Sequence, residues 1–229
     1  MNNSERIARL ATAAAERVED GMLVGLGTGS TAAAMVDALG RRVAEGLRFT
    51  GVATSIATAE QAQSLGIPLK ELIDIDRLDL CIDGADEIDP ALNLVKGRGG
   101  ALLFEKLVAR RANRYLIIAA SDKLVDHLGT RLPLPVEIVT MGWTHTADAL
   151  IDLDLRPHLR RNADDTPYVT DGGHYIVDCD WPSDHQVDPG SLASAVKALT
   201  GVVDHGLFIQ MATEVLTIDE NGDLTERRA

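Results

Sequence analysis

One carboxylate interrupts an otherwise apolar helical stripe. On a helix over 100–112, positions 101, 102, 105, 108, 109 and 112 share a face and read Ala, Leu, Glu, Val, Ala, Ala. Burial there would raise the proton affinity of Glu105 toward working pH, as a general base requires, and such a base contributes about 10²–10⁴-fold to a rate. The competing reading is a structural carboxylate paired with a buried cation, or a helix turned enough to expose it.

Four loops supply the rest of the candidate chemistry. Gly27-Thr28-Gly29-Ser30-Thr31 links an apolar run to a helix start, where free N–H groups and hydroxyls suit a phosphate. It matches neither dinucleotide fingerprint nor P-loop, because position 30 is Ser30 and no lysine is near. A tight turn closed by Ser/Thr caps is the alternative. Asp83-Gly84-Ala85-Asp86-Glu87-Ile88-Asp89 sets four acids in seven residues, which repel unless ligand hydroxyls, a proton or a cation compensate. Asp83 and Asp86 could face sugar hydroxyls. EF-hand spacing is absent, and a solvated acidic turn also fits. Lys96-Gly97-Arg98-Gly99-Gly100 is a glycine-rich cationic loop in which Lys96 is a candidate electrophile or anion partner. Ser121-Asp122-Lys123 follows another apolar run and offers Lys123 to an anion.

The chain-wide numbers bound the class. With 45% hydrophobic and 25% charged residues, 229 residues can build a full core. A net charge of −13 argues against nucleic acid but leaves room for a small anion held by local donors. No run of 18 apolar residues and a polar start, MNNSERIARL, predict neither a membrane span nor a secretory signal. Cys81 and Cys179 lack CxxC spacing and read as reduced core thiols of a cytoplasmic protein. The histidines lack metal-ligand spacing and no G-x-S-x-G elbow occurs. Trp143 and Trp181 read as packing residues.

These residues need a scaffold, and the apolar periodicity supplies one. Helices are expected at 5–19, 30–39, 57–65 and 100–112, alternating with strands at 22–26, 48–53, 68–72, 78–82 and 115–120. Strands apolar throughout and alternating with helices predict a parallel sheet covered on both faces. The loops after 26, 53, 82 and 120 then gather at its carboxyl edge, where ligands bind in such sheets. Beyond Leu132-Pro133-Leu134-Pro135 the plan changes: strand 136–139, helix 144–151, short strands turning at 171–173, helix 189–199, strand 202–209. That order suits a small split βαβ unit. The fold class is therefore α/β, a Rossmann-like domain over 1–131 plus 203–229 and a ferredoxin-like α+β domain over 132–202. Asn221-Gly222 marks a hairpin that could rejoin the first sheet.

Together the segments GLGTGSTA, TSIATAEQAQSLGIPL, DGADEID, KGRGGALLFEK, ASDK, PLPVEI and GVVDHGLF resemble the ribose-5-phosphate isomerase A family, in family order over nearly the whole chain. The resemblance implies interconversion of D-ribose 5-phosphate and D-ribulose 5-phosphate through an enediolate, in the pentose phosphate pathway, without cofactor or metal. It also implies a homodimer or larger assembly. It places Glu105 at the general-base position. Asp83, Asp86 and Lys96 take positions that handle ring opening, hydroxyls and charge at O1 and O2. Substrate binding falls to Thr28, Gly29, Ser30, Thr31, Lys123 and the segments around Gly84, Ala85, Gly97, Arg98 and Gly99. Two departures stand out: Arg98 where the family usually has glycine, and Ile7 where it often has lysine, with Arg6 or Arg9 as substitutes. A sugar-phosphate sensor of the same architecture would not need a carboxylate in the apolar stripe and would usually carry a DNA-binding segment. An amino-sugar phosphate deaminase would favour a catalytic histidine, and the best candidate, His205, lies in none of the four loops.

Overall fold

The computed structural model describes residues 1–181 and 187–229. The chain begins α1 (Asn3–Ala15), β1 (Leu23–Leu26), α2 (Ser30–Ala44), β2 (Thr50–Ala53), α3 (Ile56–Ser64) and β3 (Leu78–Asp83). Then come β4 (Glu87–Ile88), β5 (Leu94–Val95), α4 (Leu102–Ala109), β6 (Ala112–Ala120), β7 (Leu134–Ile138), α5 (Trp143–Ile151) and β8 (Arg156–Leu159). It ends with β9 (Tyr175–Asp180), α6 (Pro189–Ala198), β10 (Val202–His205), β11 (Leu207–Phe208), β12 (Glu214–Ile218) and β13 (Leu224–Arg228). These elements form two compact units, one of Met1–Ala85, Phe104–Leu124 and Gln210–Ala229, the other of Asp86–Leu103 and Val125–Ile209.

The first unit is a six-stranded sheet in the order β13-β12-β6-β3-β1-β2, parallel except for the edge strand β13. Register sorts its side chains by face. Val24 pairs with Leu80 and Leu26 with Ile82, and these residues join Leu10, Met35, Leu39, Leu116 and Ile118 in one core. Each fully buried aliphatic side chain there contributes about 1.5–3 kcal/mol. On the opposite face Gly25 pairs with Cys81 and Cys81 with Tyr115. α4 packs against that face: a methyl at Gly25 would sit 2.7 Å from a Val108 methyl. The strands whose following loops were expected to gather at one edge end there, at Leu26, Ala53, Asp83 and Ala120, as the parallel pattern predicts.

The second unit holds a four-stranded antiparallel sheet in the order β10-β7-β9-β8, with α5 and α6 in the chain order β-α-β-β-α-β. This is the split βαβ arrangement. Its core gathers Leu134, Val136, Ile138, Leu150, Val177 and Val196. A small antiparallel sheet, β11-β5-β4, completes the unit.

Three expected elements differ. The run 202–209 is two strands in two sheets, broken at Gly206, whose N–H donates to the Pro135 carbonyl at 2.7 Å. A side chain at 206 would lie 2.1 Å from the Lys96 carbonyl, so only glycine fits the crossing. The helix expected at 100–112 spans Leu102–Ala109, because Gly100 has φ +81° and Ala112 already pairs with Leu78 in the sheet. The strand expected at 68–72 is a single bridge from Leu69 to Gly51, since Pro68 has no N–H to extend a ladder.

Candidate active site

In the first unit the loop after β1 is built around Asp83. This carboxylate is fully buried, and its Oδ1 accepts from the Gly84 N–H at 2.7 Å and the Thr28 N–H at 3.2 Å. Gly27 leaves the room it occupies, for a Cβ there would lie 2.2 Å from the carboxylate oxygen. Two of the loop's features thus serve Asp83 rather than an incoming ligand directly. The Thr28 hydroxyl also turns inward, to Thr54, Ser55 and Thr58 hydroxyls at 2.7, 2.9 and 3.1 Å. This hydroxyl cluster comes together because β1 and β2 pair in the sheet.

The start of α2 corrects the expected Ser/Thr capping. Gly29 is the N-cap, with φ +107°, a region that favours glycine, and no side chain caps the helix. The first-turn N–H groups of Ser30 and Thr31 are therefore not spent on a cap, which leaves the positive end of a 15-residue helix at the carboxyl edge. Lys123 ends the short turn Ser121–Lys123 after β6, at the same edge of the same sheet. On α1, Arg6 Nη1 donates at 3.3 Å to the carbonyl of Asp219, just beyond β12, whose last residue pairs with Ala120.

Glu105 lies where the stripe predicts. Only 4% of it is exposed, and Leu102, Val108 and Ala109 along the same face are buried with it. Beneath α4, Tyr115 is 1% exposed, and its hydroxyl, among the described residues, has no hydrogen-bond partner. Burial pushes this phenol well above its ordinary value, and the carboxylates of Asp83 and Glu105 push it further. Asp83, two residues beyond Cys81 on β3, lies on the sheet face against which α4, the helix of Glu105, packs.

In the second unit the acidic segment separates into individually satisfied groups. Asp86 Oδ2 accepts from the Arg98 N–H at 3.1 Å. Glu87, fully buried, accepts from Gly129, Arg131 and Leu132 N–H groups at 2.6, 2.7 and 3.0 Å. Asp89 closes the turn through Asn93 N and Nδ2. Mutual repulsion is therefore relieved by N–H donors, and among the described residues no cluster of three or more His, Cys, Asp or Glu is placed to hold a metal ion. Lys96 is 2% exposed, with its ammonium 5.6 Å from the centre of the Phe208 ring and its N–H on the Gly206 carbonyl at 2.8 Å. Arg98 is exposed and lines a pocket of about 340 Å³ together with Asp86, Val95, Pro135, Arg160 and Asp178. Gly97 and Gly99 flank it in the loop. His205 is 5% exposed and accepts the Leu207 N–H on Nδ1 at 3.2 Å, a packing role.

Residues 50–222 match the family model for ribose 5-phosphate isomerase A (phosphoriboisomerase A). A ribose-5-phosphate isomerase A of Synechococcus sp. (strain JA-3-3Ab) is 53% identical over 221 residues, 96% of this chain and 95% of that one. Among solved structures, ribose 5-phosphate isomerase A of Methanocaldococcus jannaschii superposes with a TM-score of 0.93 at 32% identity, covering 100% of both chains. A D-ribose-5-phosphate isomerase in complex with phospho-erythronic acid superposes at 0.95 with 34% identity, again over 100% of both chains.

Proposed function

The chain belongs to the ribose 5-phosphate isomerase A family and interconverts D-ribose 5-phosphate and D-ribulose 5-phosphate, and we propose that Glu105 is the base that carries the proton between C2 and C1. The burial of Glu105 in an apolar stripe, on the sheet face that also carries Asp83, is the observation behind this reading. An apolar residue would pack better at 105, so a carboxylate there is explained by chemistry.

The isomerisation carries the C2 hydrogen to C1 and exchanges the O2 hydroxyl proton for one at O1, so the carbonyl moves from C1 to C2. With the sugar ring open, the Glu105 carboxylate takes the C2 proton and the C–H electron pair becomes the C1–C2 double bond of an enediolate. The protonated carboxyl then returns the proton at C1 while the carbonyl re-forms at C2, the proton that leaves O2 being matched by one gained at O1. No net proton is consumed. Charge on O1 and O2 needs fixed donors before it develops, and Lys96 is assigned that part. Asp83 and Asp86 are assigned ring opening and the sugar hydroxyls. Gly84, Ala85, Gly97, Arg98 and Gly99 are assigned to substrate binding. The phosphate goes to the uncapped start of α2, through Gly29, Ser30 and Thr31, with Thr28 bracing the loop and Lys123 supplying charge. Binding of phospho-erythronic acid by the related isomerase supports this reading, because a planar carboxylate on a phosphorylated polyhydroxy chain imitates an enediolate.

Ribulose 5-phosphate formation with EDTA present tests the assignment. The wild type should turn over unaffected by the chelator. Glu105→Gln should lose at least about 100-fold in kcat while still binding the sugar phosphate; turnover at the wild-type rate would refute the base assignment. The family resemblance further supports a homodimer, for which light scattering should give about twice the 24.5 kDa chain mass. Two buried cysteines outside any disulfide suit a reducing, cytoplasmic setting.

A further inference from the structure

We propose that Arg160 is a positioning residue that aims the carboxylate of Asp86 through the peptide group between Gly97 and Arg98; the proposal rests on the role given above to Asp86. The lysine loop cannot fix itself. Gly97 and Gly100 both stand at positive φ, +107° and +81°, and the glycines bring no side chains to lock the backbone. The constraint comes from outside the loop.

Arg160 directly follows β8 and uses both edges of its guanidinium. Nη1 donates to the Gly97 carbonyl at 2.9 Å and the Arg98 carbonyl at 3.1 Å. On the other edge Nε, at 2.8 Å, and Nη2 hold both oxygens of Asp178 on β9. The planar group lies 5.9 Å from the Tyr168 ring centre, and the Tyr168 N–H donates to the Arg160 carbonyl at 2.9 Å. Tyr168 also fills the space beside Gly100, where a Cβ would come within 2.1 Å of its hydroxyl oxygen. With its side chain only 15% exposed, Arg160 is held on every side.

The Gly97–Arg98 peptide is pinned at both ends. Its carbonyl accepts from Arg160, and its N–H, that of Arg98, donates to Asp86 Oδ2 at 3.1 Å. A cation on the oxygen draws electron density through the amide and strengthens the N–H as a donor to the carboxylate. Arg160 and Asp86 thus act on opposite ends of one amide, beside the pocket that both line. A lysine cannot replace this fork, because one ammonium cannot span two carbonyls and a bidentate carboxylate.

The test compares kcat and KM for Arg160→Met, Arg160→Lys, Asp86→Asn and the double variant Arg160→Met/Asp86→Asn, with circular dichroism and Tm for each. Arg160→Met should lower kcat/KM by about 10- to 100-fold, and Arg160→Lys should not restore it. Adding Arg160→Met to Asp86→Asn should cost no more than about threefold further, since both changes break one chain of contacts. Multiplying losses in the double variant, or wild-type kcat/KM in folded Arg160→Met, would overturn the proposal. Should Arg160→Met fail to fold, Arg160→Lys at wild-type rates would overturn it equally. Wild-type activity in Asp86→Asn would instead remove the role of Asp86, and the proposal with it.

Discussion

A methyl group at position 27 would lie 2.2 Å from the Asp83 carboxylate, so Gly27→Ala should displace that oxygen from the Gly84 and Thr28 N–H groups. A loss of at least about tenfold in kcat/KM is expected, with the fold retained by circular dichroism; unchanged activity would show that this placement is dispensable. Tyr115 predicts the opposite outcome. Its hydroxyl is buried without a hydrogen-bond partner among the described residues, so Tyr115→Phe should leave stability within about 1 kcal/mol of the wild type or above it. A Tm drop of many degrees would reveal a partner for the hydroxyl. The burial of Glu105 was readable from sequence because one charge in an apolar stripe breaks a period of 3.6. Glu87 and Arg160 were not readable: their partners lie at 129–132 and at 97, 98 and 178, and no local pattern encodes such pairings.

Strands show the same divide between local and distant information. Alternation of helix and apolar strand, read from the sequence alone, anticipates the parallel sheet and its carboxyl edge. The break at Gly206 escaped the periodicity because its cause is the Lys96 carbonyl, more than a hundred residues earlier. The ends of β6 and β12 carry a testable pair. Nε and Nη2 of Arg114 hold both oxygens of Glu214 at 2.7 and 3.0 Å, and these hydrogen bonds, then the positive charge, keep the Glu214 carboxyl below the usual glutamate range. A depressed folded-state value means stability that is present above that range and lost as pH falls through it. Because the Arg114 side chain is 41% exposed, water screens the pair, and Glu214→Gln should cost about 1 kcal/mol at neutral pH. The difference from wild type should shrink as pH falls from the usual glutamate range through the depressed folded-state value; a gap constant with pH would contradict the pairing.

In each of the two units, burial has a chemical signature. Both cysteines are buried, and burial pushes the Cys179 thiol far above its ordinary value. A thiol reagent should therefore find neither cysteine in the native protein, even at pH 9, and both after denaturation; rapid labelling of Cys179 would contradict its place in the core. All this scaffolding serves one proton transfer, and a label at C2 follows that proton directly. Ribose 5-phosphate deuterated at C2 should, with the wild type, lose its label to water or carry it to C1 of ribulose 5-phosphate. Glu105→Gln should bind the same sugar and do neither, with label movement at least about 100-fold slower. Label movement at the wild-type rate in that variant would mean that another group takes the proton.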